Sequence, residues 1–367
     1  MWRTIIQPDD PAFVELDSRG KELRSIPFKK FNQRVTGYAM HLDKKCGLKA
    51  GNHVILWFPQ DLEYIVALQA CWVLGLIPIP LQLPDHVPTG QLLNQFSNHH
   101  PSNHTATPVS AGPVMGGNQP FPSGSHHGHN HGSNPALSAK VLEVKRNSIL
   151  LTLLRIMDEV EVKAILGNQS TDDYVKQKST GVHLRSCRST FKPQYAQTPE
   201  VFELGDLVLP PIFNVTKAAK TKNTVGALSG YGPRMEWLAP NFTAVYLTDP
   251  EARSGSSGAK KLRRLNHETL NSLCRNQKLQ FRTLPGQAMV TCMSVFNGLG
   301  FIHGCLSGIY NGGPTVIVQP VDFNANPVVW LEALTRYKGT TWHRKRASPS
   351  YLSNYYDETD TSLLVIL

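Results

Sequence analysis

Residues 54–81 constrain the fold more than any other stretch, because two short apolar runs flank a segment with helix signals at both ends. Residues 54–58 have the apolar composition of a buried strand, and residues 76–81 return as a second one. Between them, Asp61 is a favourable N-cap residue and Gly75 favours the end of a helix. A strand, a helix and a second strand predict a right-handed crossover between parallel strands, and therefore an α/β fold.

Other apolar patterns extend this prediction. Further strands are predicted at residues 11–16, 24–27, 162–166, 243–247, 289–295 and 314–318, and further helices at residues 28–45, 149–157, 299–310 and from Pro327 onward. Residues 178–240 carry no pattern that assigns an element with confidence to any part of them. The predicted fold is a largely parallel sheet covered by helices.

The charge of the chain points to an anionic partner. The formal net charge is +10 over 367 residues, which favours a nucleotide, a nucleic acid or a membrane surface. The basic residues are scattered apart from runs at residues 260–264 and 343–346. Each run is interpreted as a solvated edge, with a nuclear-import signal as the alternative. No nucleic-acid partner is expected, because no aromatic and basic interleaving or zinc-ligand spacing accompanies the charge.

The cysteines and the longest apolar run bear on location. The six cysteines form no C-x-x-C pair, and several lie within apolar runs. Buried free thiols in a reducing compartment account for them, so a cytoplasmic location is expected. The uncharged run at residues 64–84 is long enough to suggest a membrane span, but Pro78, Pro80 and Pro84 interrupt it. No transmembrane segment is predicted.

Residues 87–139 change sharply in composition to His, Ser, Asn, Pro and Gly. Such a segment has too few large apolar residues to offset its ordering entropy by burial, which predicts a disordered insertion in a surface loop. The histidines within residues 126–131 could bind a soft divalent metal. A flexible low-complexity tract explains the same composition, and no metal site is assigned.

Residues 254–261 have the composition of a phosphate-binding loop. The run consists of Ser254, Gly255, Ser256, Ser257, Gly258, Ala259, Lys260 and Lys261. Glycines let successive N–H groups turn toward one anion, serine hydroxyls add donors, and a lysine adds a positive charge. A solvated loop can have the same composition, so the run alone does not decide.

The same run resembles the phosphate loop of the adenylate-forming enzymes, in which a Ser/Thr/Gly loop ends in Pro-Lys-Gly. Lys261 matches the lysine of that pattern, whereas Lys260 stands where proline is usual and Leu262 where glycine is usual. If a strand resumes here, alternation would turn Lys260 away from the side that Lys261 faces. Four further segments of the chain resemble the opening of an adenylate-forming domain, namely residues 47–54, 58–60, 70–75 and 78–80.

The resemblance implies the N-terminal part of an AMP-binding large domain, with ATP and Mg²⁺ as cofactors and a fatty or other carboxylic acid as substrate. Lys261 would be the catalytic lysine. The cofactor-binding residues implied are Ser254, Gly255, Ser256, Ser257, Gly258 and Lys261. Residues 231–236 resemble the family's magnesium-binding Tyr-Gly-Pro-Thr-Glu, but they precede the phosphate loop instead of following it. They are therefore interpreted as a Gly-Pro turn.

Residues 312–316 and 330–337 resemble the fatty acyl-AMP ligase branch, which places the chain in lipid metabolism. That branch usually has Tyr-His-Asp-Met-Gly in its substrate channel, where residues 296–300 here read Phe-Asn-Gly-Leu-Gly. Asn297 and Gly300 are thereby predicted to lie near an acyl-adenylate. The replaced histidine and the unusual phosphate loop resemble the disco-interacting protein 2 family and its fungal relatives.

The resemblance divides the chain into four parts. Residues 1–86 are the first part of an AMP-binding N-terminal domain, residues 87–139 the insertion, residues 140–341 the remainder of that domain, and residues 342–367 an atypical tail. The family's ribose-binding acid, magnesium glutamate and C-terminal lid would follow later, so a truncated fragment that forms no acyl-adenylate is expected. The alternative is a non-catalytic module that binds ligands or protein partners.

Overall fold

The computed structural model describes residues 2–83, 149, 152–176, 184–186, 207–216, 234–253, 260–296 and 298–339. The chain divides into two units, one formed by Met1–Leu83 with Leu151–Leu367 and the other by Pro84–Leu150. The features described below lie in the first unit. The predicted insertion at residues 87–139, with its histidines, and the predicted tail at residues 342–367 lie outside the described residues.

The strand–helix–strand prediction is confirmed. β3 (His53–Phe58) and β4 (Ile77–Gln82) are parallel neighbours, and β5 (Val162–Gly167) and β8 (Ile212–Asn214) extend the sheet in the order β4-β3-β5-β8. All three pairings are parallel. The carboxyl ends of its four strands therefore lie at one edge.

Helix α3 (Leu62–Leu74) joins β3 to β4 and begins and ends at the predicted residues. The side chain of Asp61 accepts a hydrogen bond from the backbone N–H of Tyr64 at 2.9 Å. Gly75 ends the helix with φ of 70°, a left-handed conformation that glycine adopts without steric cost. Most of the side chains of α3 are buried, so the helix runs through the core instead of covering it from one side.

A second four-stranded sheet has the order β11-β12-β1-β2. β11 (Met289–Thr291), β12 (Thr315–Val318) and β1 (Pro11–Leu16) run parallel, and β2 (Glu22–Pro27) pairs antiparallel with β1. The predicted strand at residues 289–295 is wrong at its end, because the ladder stops at Thr291. Backbone groups of Met293 and Val295 bond to the Gln60 side chain instead.

Two shorter strand pairs complete the described sheets. β9 (Val245–Arg253) and β10 (Lys260–Leu265) form an antiparallel hairpin, and β6 (Leu184–Ser186) pairs with β7 (Leu207–Leu209) in parallel. The second pair lies in the stretch to which no element was assigned from sequence. The α/β fold with parallel strands covered by helices is confirmed, with the strands divided among several sheets.

The other described helices include the predicted amphipathic helix α2 (Phe28–Lys44), which ends one residue before the predicted limit. The remaining segments are α1 (Trp2–Ile6), α4 (residues 152–159), α5 (Gln169–Lys176), α6 (His267–Gln280), α9 (Pro320–Ala325), α10 (Val328–Tyr337) and the 3₁₀ turn Met235–Leu238. Among the described residues, no helix is both long and apolar enough to cross a membrane.

The predicted helix at residues 299–310 is a composite segment. It starts as α7 (Gly298–Phe301), continues as a π-helical turn (Ile302–Ser307) and ends as α8 (Gly308–Asn311). The Ser307 hydroxyl donates a hydrogen bond to the Ile302 carbonyl at 3.0 Å. A wider turn of this kind is often found at functional sites, and this one directly follows the predicted substrate residues.

Candidate functional site

The β9–β10 hairpin encloses the predicted phosphate loop. Lys260 pairs with Arg253, so the ends of the run from Ser254 to Ala259 are held beside each other. Residues 254–259 lie outside the described residues, and of Lys261 the structure describes the backbone position in β10. The strand that precedes the loop and the strand that resumes at Lys260 are both present, as expected.

The hairpin has a large irregularity at the predicted catalytic lysine. Leu262 pairs with Thr248 while Lys260 pairs with Arg253, so residues 249–252 stand opposite Lys261 alone. Regular alternation of side chains does not extend through such a bulge. Alternation therefore does not separate Lys261 from Lys260, and the assignment of Lys261 stays a prediction.

Polar and aromatic contacts anchor the base of the hairpin. The indole N–H of Trp72, on α3, donates to the carbonyl of Ala244 at 2.7 Å, just before β9 begins. After β10, the side chain of Asn266 caps α6 by accepting from the Thr269 N–H at 2.7 Å. The ring of His267 lies 5.9 Å from the Trp72 ring, and partial burial lowers the pKa of this imidazole. The hairpin is thereby fixed to the core helix α3.

Of the two predicted substrate residues, Asn297 lies outside the described residues and Gly300 is described. Gly300 is buried in α7, and a Cβ built on it would overlap the carbonyl oxygen of Ser294. The backbone of α7 therefore packs directly against the segment before it. A side chain at this position would push the two apart.

The segment in question, residues 293–296, is called the β11 loop here because it follows that strand. Gln60 lies at the end of β3 and is 6% exposed. Its Nε2 donates to the Met293 carbonyl at 3.1 Å, and its Oε1 accepts from the Val295 N–H at 3.2 Å. One carboxamide thus satisfies two backbone groups of the loop, as a neighbouring strand would.

Two further side chains contact the β11 loop. The hydroxyl of Tyr64, on α3, donates to the Val295 carbonyl at 3.3 Å, and the Tyr64 ring packs against Phe296 with centroids 4.4 Å apart. The Ser294 hydroxyl donates to Oε1 of Gln82, the last residue of β4, at 3.3 Å. The loop before Asn297 is therefore held by the carboxyl ends of β3 and β4 and by α3.

Gln319, which directly follows β12, connects the second sheet to Gln60. Its Nε2 donates to the Gln60 carbonyl at 2.5 Å and to Oε1 of Glu15 at 3.1 Å. Burial raises the pKa of the Glu15 carboxyl, and nearby Arg24 acts in the opposite direction. The carboxyl ends of the two sheets are therefore joined by hydrogen bonds.

Asp61 is a partly buried carboxyl group at this edge. Besides the Tyr64 N–H, it accepts a hydrogen bond at 2.9 Å from Nδ2 of Asn168, which follows β5. Burial raises the pKa of Asp61 to about 7, and the Tyr64 N–H opposes that shift. The chain places β4 and β5 on opposite sides of β3, and such a point of reversal is where open α/β sheets usually bind ligands.

We call this set of polar residues the carboxyl edge; its members are Gln60, Asp61, Gln82, Asn168 and Gln319. Sequence reasoning identified Asp61 only as a helix cap and missed the other four. Gln82 ends β4, Asn168 and Gln319 directly follow β5 and β12, and Gln60 and Asp61 come two and three residues after β3. A polar residue that ends an apolar run of this kind was the available signal.

The Mg²⁺ cofactor was predicted only by resemblance. Among the described residues, no group of three or more His, Cys, Asp or Glu lies together as metal ligands. Glu236, in the motif at residues 231–236, is exposed and forms an ion pair with Arg234 at 3.6 Å. Residues 231–233 of that motif lie outside the described residues. A site for Mg²⁺ is therefore not assigned to residues that the structure describes.

Residues 4–97 match the family described as AMP-binding enzyme. An uncharacterized protein of Schizosaccharomyces pombe is 24% identical over 96% of the chain and 18% of its own length. Disco-interacting protein 2 homolog A of Mus musculus is 23% identical over 92% of the chain and 16% of its own length. The chain thus spans less than a fifth of either relative.

Solved structures show the same fold. A fatty acyl-adenylate ligase from L. pneumophila, in complex with acyl adenylate and pyrophosphate, has a TM-score of 0.57 and 16% identity over 93% of this chain and 42% of its own. The o-succinylbenzoate coenzyme A synthetase of Bacillus subtilis, in complex with ATP and magnesium ion, has a TM-score of 0.51 and 12% identity over 93% of this chain and 61% of its own. The chain is similar in fold to the adenylate-forming enzymes, it matches the AMP-binding enzymes over residues 4–97, and it is similar in sequence to the disco-interacting protein 2 family and a fungal protein.

Proposed function

We propose that the chain is part of an adenylate-forming ligase-like protein that binds ATP at the β9–β10 hairpin and a carboxylic acid, of the fatty acid class, beside the β11 loop. The observation that carries this proposal is the pairing of Lys260 with Arg253, which closes the Ser/Gly run into a hairpin loop. The solved ligase that holds acyl adenylate and shares the fold supports the substrate class.

In this proposal the substrate carboxylate attacks the α-phosphate of ATP in line, and pyrophosphate leaves. The hydroxyls of Ser254, Ser256 and Ser257 donate to the phosphates, and Gly255 and Gly258 let the backbone approach them. Lys261 stabilises the charge of the departing phosphates, while Asn297 and Gly300 lie near the acyl-adenylate. Mg²⁺, when bound, would neutralise further phosphate charge.

The second candidate is a non-catalytic module that keeps the ligand sites for binding alone or for docking a protein partner. The presence of Asn297 where the resembling ligases have a histidine favours it. Because the chain spans 42% of the fatty acyl-adenylate ligase, the activity of a whole protein is part of the proposal. A cytoplasmic role in lipid metabolism is proposed as well. The buried thiols of Cys71, Cys274, Cys292 and Cys305 fit a reducing compartment.

The test combines a nucleotide-binding titration with ATP–pyrophosphate exchange over a panel of fatty acids. We expect ATP to bind, and we expect Lys261→Ala to weaken that binding about tenfold, as the loss of a charge-assisted phosphate contact would. Lys260→Ala is the matched control, since it removes the same charge one residue away. Equal losses would assign both lysines to diffuse attraction.

Exchange separates the two candidates. We expect none above the Lys261→Ala background for the chain as given, so that binding occurs without turnover. Exchange clearly above that background would make the chain a catalyst and exclude the module. Folded chain that binds neither ATP nor a fatty acid would overturn both candidates.

A further inference from the structure

We propose that Gln60 is a positioning residue for the acyl-adenylate site, a role that rests on the proposed function. Its carboxamide fixes the β11 loop, which leads directly into Asn297 and α7. The loop receives a donor and an acceptor from the same side chain, at 3.1 Å to the Met293 carbonyl and 3.2 Å from the Val295 N–H. A two-point contact fixes the orientation of the loop as well as its distance from β3.

The position of Gln60 is itself determined by its neighbours. Its carbonyl accepts from Gln319 at 2.5 Å, and its side chain is 6% exposed. Gln319 is held in turn by the Glu15 carboxylate at 3.1 Å. Because partners surround Gln60 on both its backbone and its side chain, water does not compete freely for the contact with the loop.

A shift of the β11 loop would pass to the substrate residues through close packing. Gly300 lies so near the Ser294 carbonyl that no side chain fits between them. The loop and the start of α7 therefore move together, with Asn297 between them in sequence. Misplacing a binding or reacting group by about 1 Å can cost about a hundredfold in rate.

Gln277 provides a matched control for the loss of a buried carboxamide. It is 5% exposed, and its side chain contacts Nδ1 of His303 at 3.1 Å and accepts from the Ser307 hydroxyl. Those contacts hold the middle of the composite helix to α6 and do not reach the Val295 N–H. The same turn contacts the β11 loop through Cys305, whose Sγ donates to the Val295 carbonyl at 3.6 Å. Gln277→Met and Gln60→Met each replace a carboxamide by an apolar side chain of similar length.

The experiment uses the whole chain and a non-hydrolysable acyl-adenylate mimic, a long-chain acylsulfamoyl adenosine, titrated by calorimetry beside ATP. We expect Gln60→Met to weaken mimic binding about tenfold, an effect of about 1.4 kcal/mol. Its ATP affinity should change less than about twofold, because the phosphate loop is anchored elsewhere. The Val295 amide should exchange its hydrogen faster, since its acceptor is gone. Gln277→Met should lower the melting temperature and leave both affinities and the Val295 exchange unchanged.

Two outcomes would overturn the assignment in distinguishable ways. If Gln60→Met and Gln277→Met bind the mimic as the unaltered chain does, Gln60 has a structural role only and the proposed function stands. If the unaltered, folded chain does not bind the mimic, the proposed function fails and the role of Gln60 in it fails as well. Gln60→Glu keeps the acceptor for Val295 and loses the donor to Met293, so an intermediate affinity is expected.

Discussion

The two regions proposed to carry the chemistry are held in place in opposite ways. The β9–β10 hairpin is held by backbone pairing between strands that adjoin in sequence, with a bulge opposite Lys261. The carboxyl edge is held by side chains from distant segments, as in the pairs Gln60–Met293 and Gln319–Gln60, separated by 233 and 259 residues. In the proposed function the hairpin loop offers donors to a ligand, whereas the side-chain donors of Gln60, Asn168 and Gln319 at the carboxyl edge bond to the protein itself.

This difference assigns different tasks to the two regions. A loop that binds phosphate needs small residues and accessible N–H groups, so its own packing contributes little to stability. Groups that position a substrate must be fixed before it arrives, and buried hydrogen bonds between sequence-distant segments provide that. We therefore expect changes at the carboxyl edge to affect the free energy of unfolding as well as binding of the acyl-adenylate mimic, and changes in the hairpin to affect ATP affinity with little effect on stability.

The largest expected effect is that of Tyr64→Ala. The Tyr64 side chain is fully buried, packs on Phe296 at 4.4 Å and donates to the Val295 carbonyl. Its removal should reduce the free energy of unfolding by about 3–5 kcal/mol through the cavity and the lost hydrogen bond, although Cys305 Sγ still donates to the Val295 carbonyl at 3.6 Å. Arg264→Ala, at an exposed position on the hairpin strand β10, should change it by less than about 0.5 kcal/mol.

Denaturant unfolding of the two variants measures the contrast. Equal losses would mean that the hairpin is as integral to the core as the β11 loop that the carboxyl edge and Tyr64 hold, and the assignment of separate tasks would fail. A small loss for Tyr64→Ala alone would show that the β11 loop closes onto α3 without the ring.

The same difference decides what the sequence could predict. The strand–helix–strand unit was predictable because Asp61 and Gly75 satisfy local requirements of helix α3. A connection between two strands was predictable at the Ser/Gly run because glycine and serine favour turns, whereas phosphate binding by that run stays a prediction. The partners of Gln60 were not, because a glutamine carries no local preference that reveals a contact 233 residues away.

The remaining errors have the same origin. The strand predicted at residues 289–295 stops at Thr291, although its residues continue to be apolar. Apolar composition indicates burial but does not distinguish a strand from a buried loop. Here the backbone of Val295 bonds to the side chains of Gln60 and Tyr64, from other parts of the chain, instead of to a neighbouring strand. The π-helical turn at Ile302–Ser307 likewise depends on packing that helical periodicity does not encode.

The second prediction concerns the pH dependence that Asp61 gives to the carboxyl edge. Burial raises its pKa to about 7 in the folded state, against about 3.9 in an unfolded chain. At pH values between these two pKa values, the folded state holds a proton that the unfolded state has lost. The contribution of Asp61 to the free energy of unfolding therefore falls as the pH rises from the lower pKa to the higher one. The loss is at most about 4 kcal/mol, and it levels off above pH of about 7.

Comparison of the unaltered chain with Asp61→Asn isolates this contribution. Asparagine keeps an acceptor for the Tyr64 N–H and does not titrate. The comparison with Asp61→Asn is needed because buried His303, whose pKa is lowered to about 4, makes the free energy of unfolding rise with pH in acid, opposite to the effect of Asp61. Unfolding free energies measured from pH 4 to pH 8 should differ between the two proteins by an amount that changes with pH. A constant difference would show that Asp61 stays ionised, held by Asn168 and the helix N-terminus.

The smallest effect is expected from deleting residues 98–134, which begin shortly after the strand that supplies Gln82 to the carboxyl edge. The composition of this tract offers little apolar surface to bury, so the free energy of unfolding should change by less than about 0.5 kcal/mol. The Ser294–Gln82 contact, at 3.3 Å, should survive, because both residues are held by sheets on either side of the deletion.

A replacement of the same length by Gly and Ser controls for the shorter connection. Thermal unfolding with and without a chelator is the measurement. A large loss in both variants would show that the tract packs on the edge, and a loss that the chelator reproduces in the unaltered chain would assign it to metal bound by the histidines at residues 126–131.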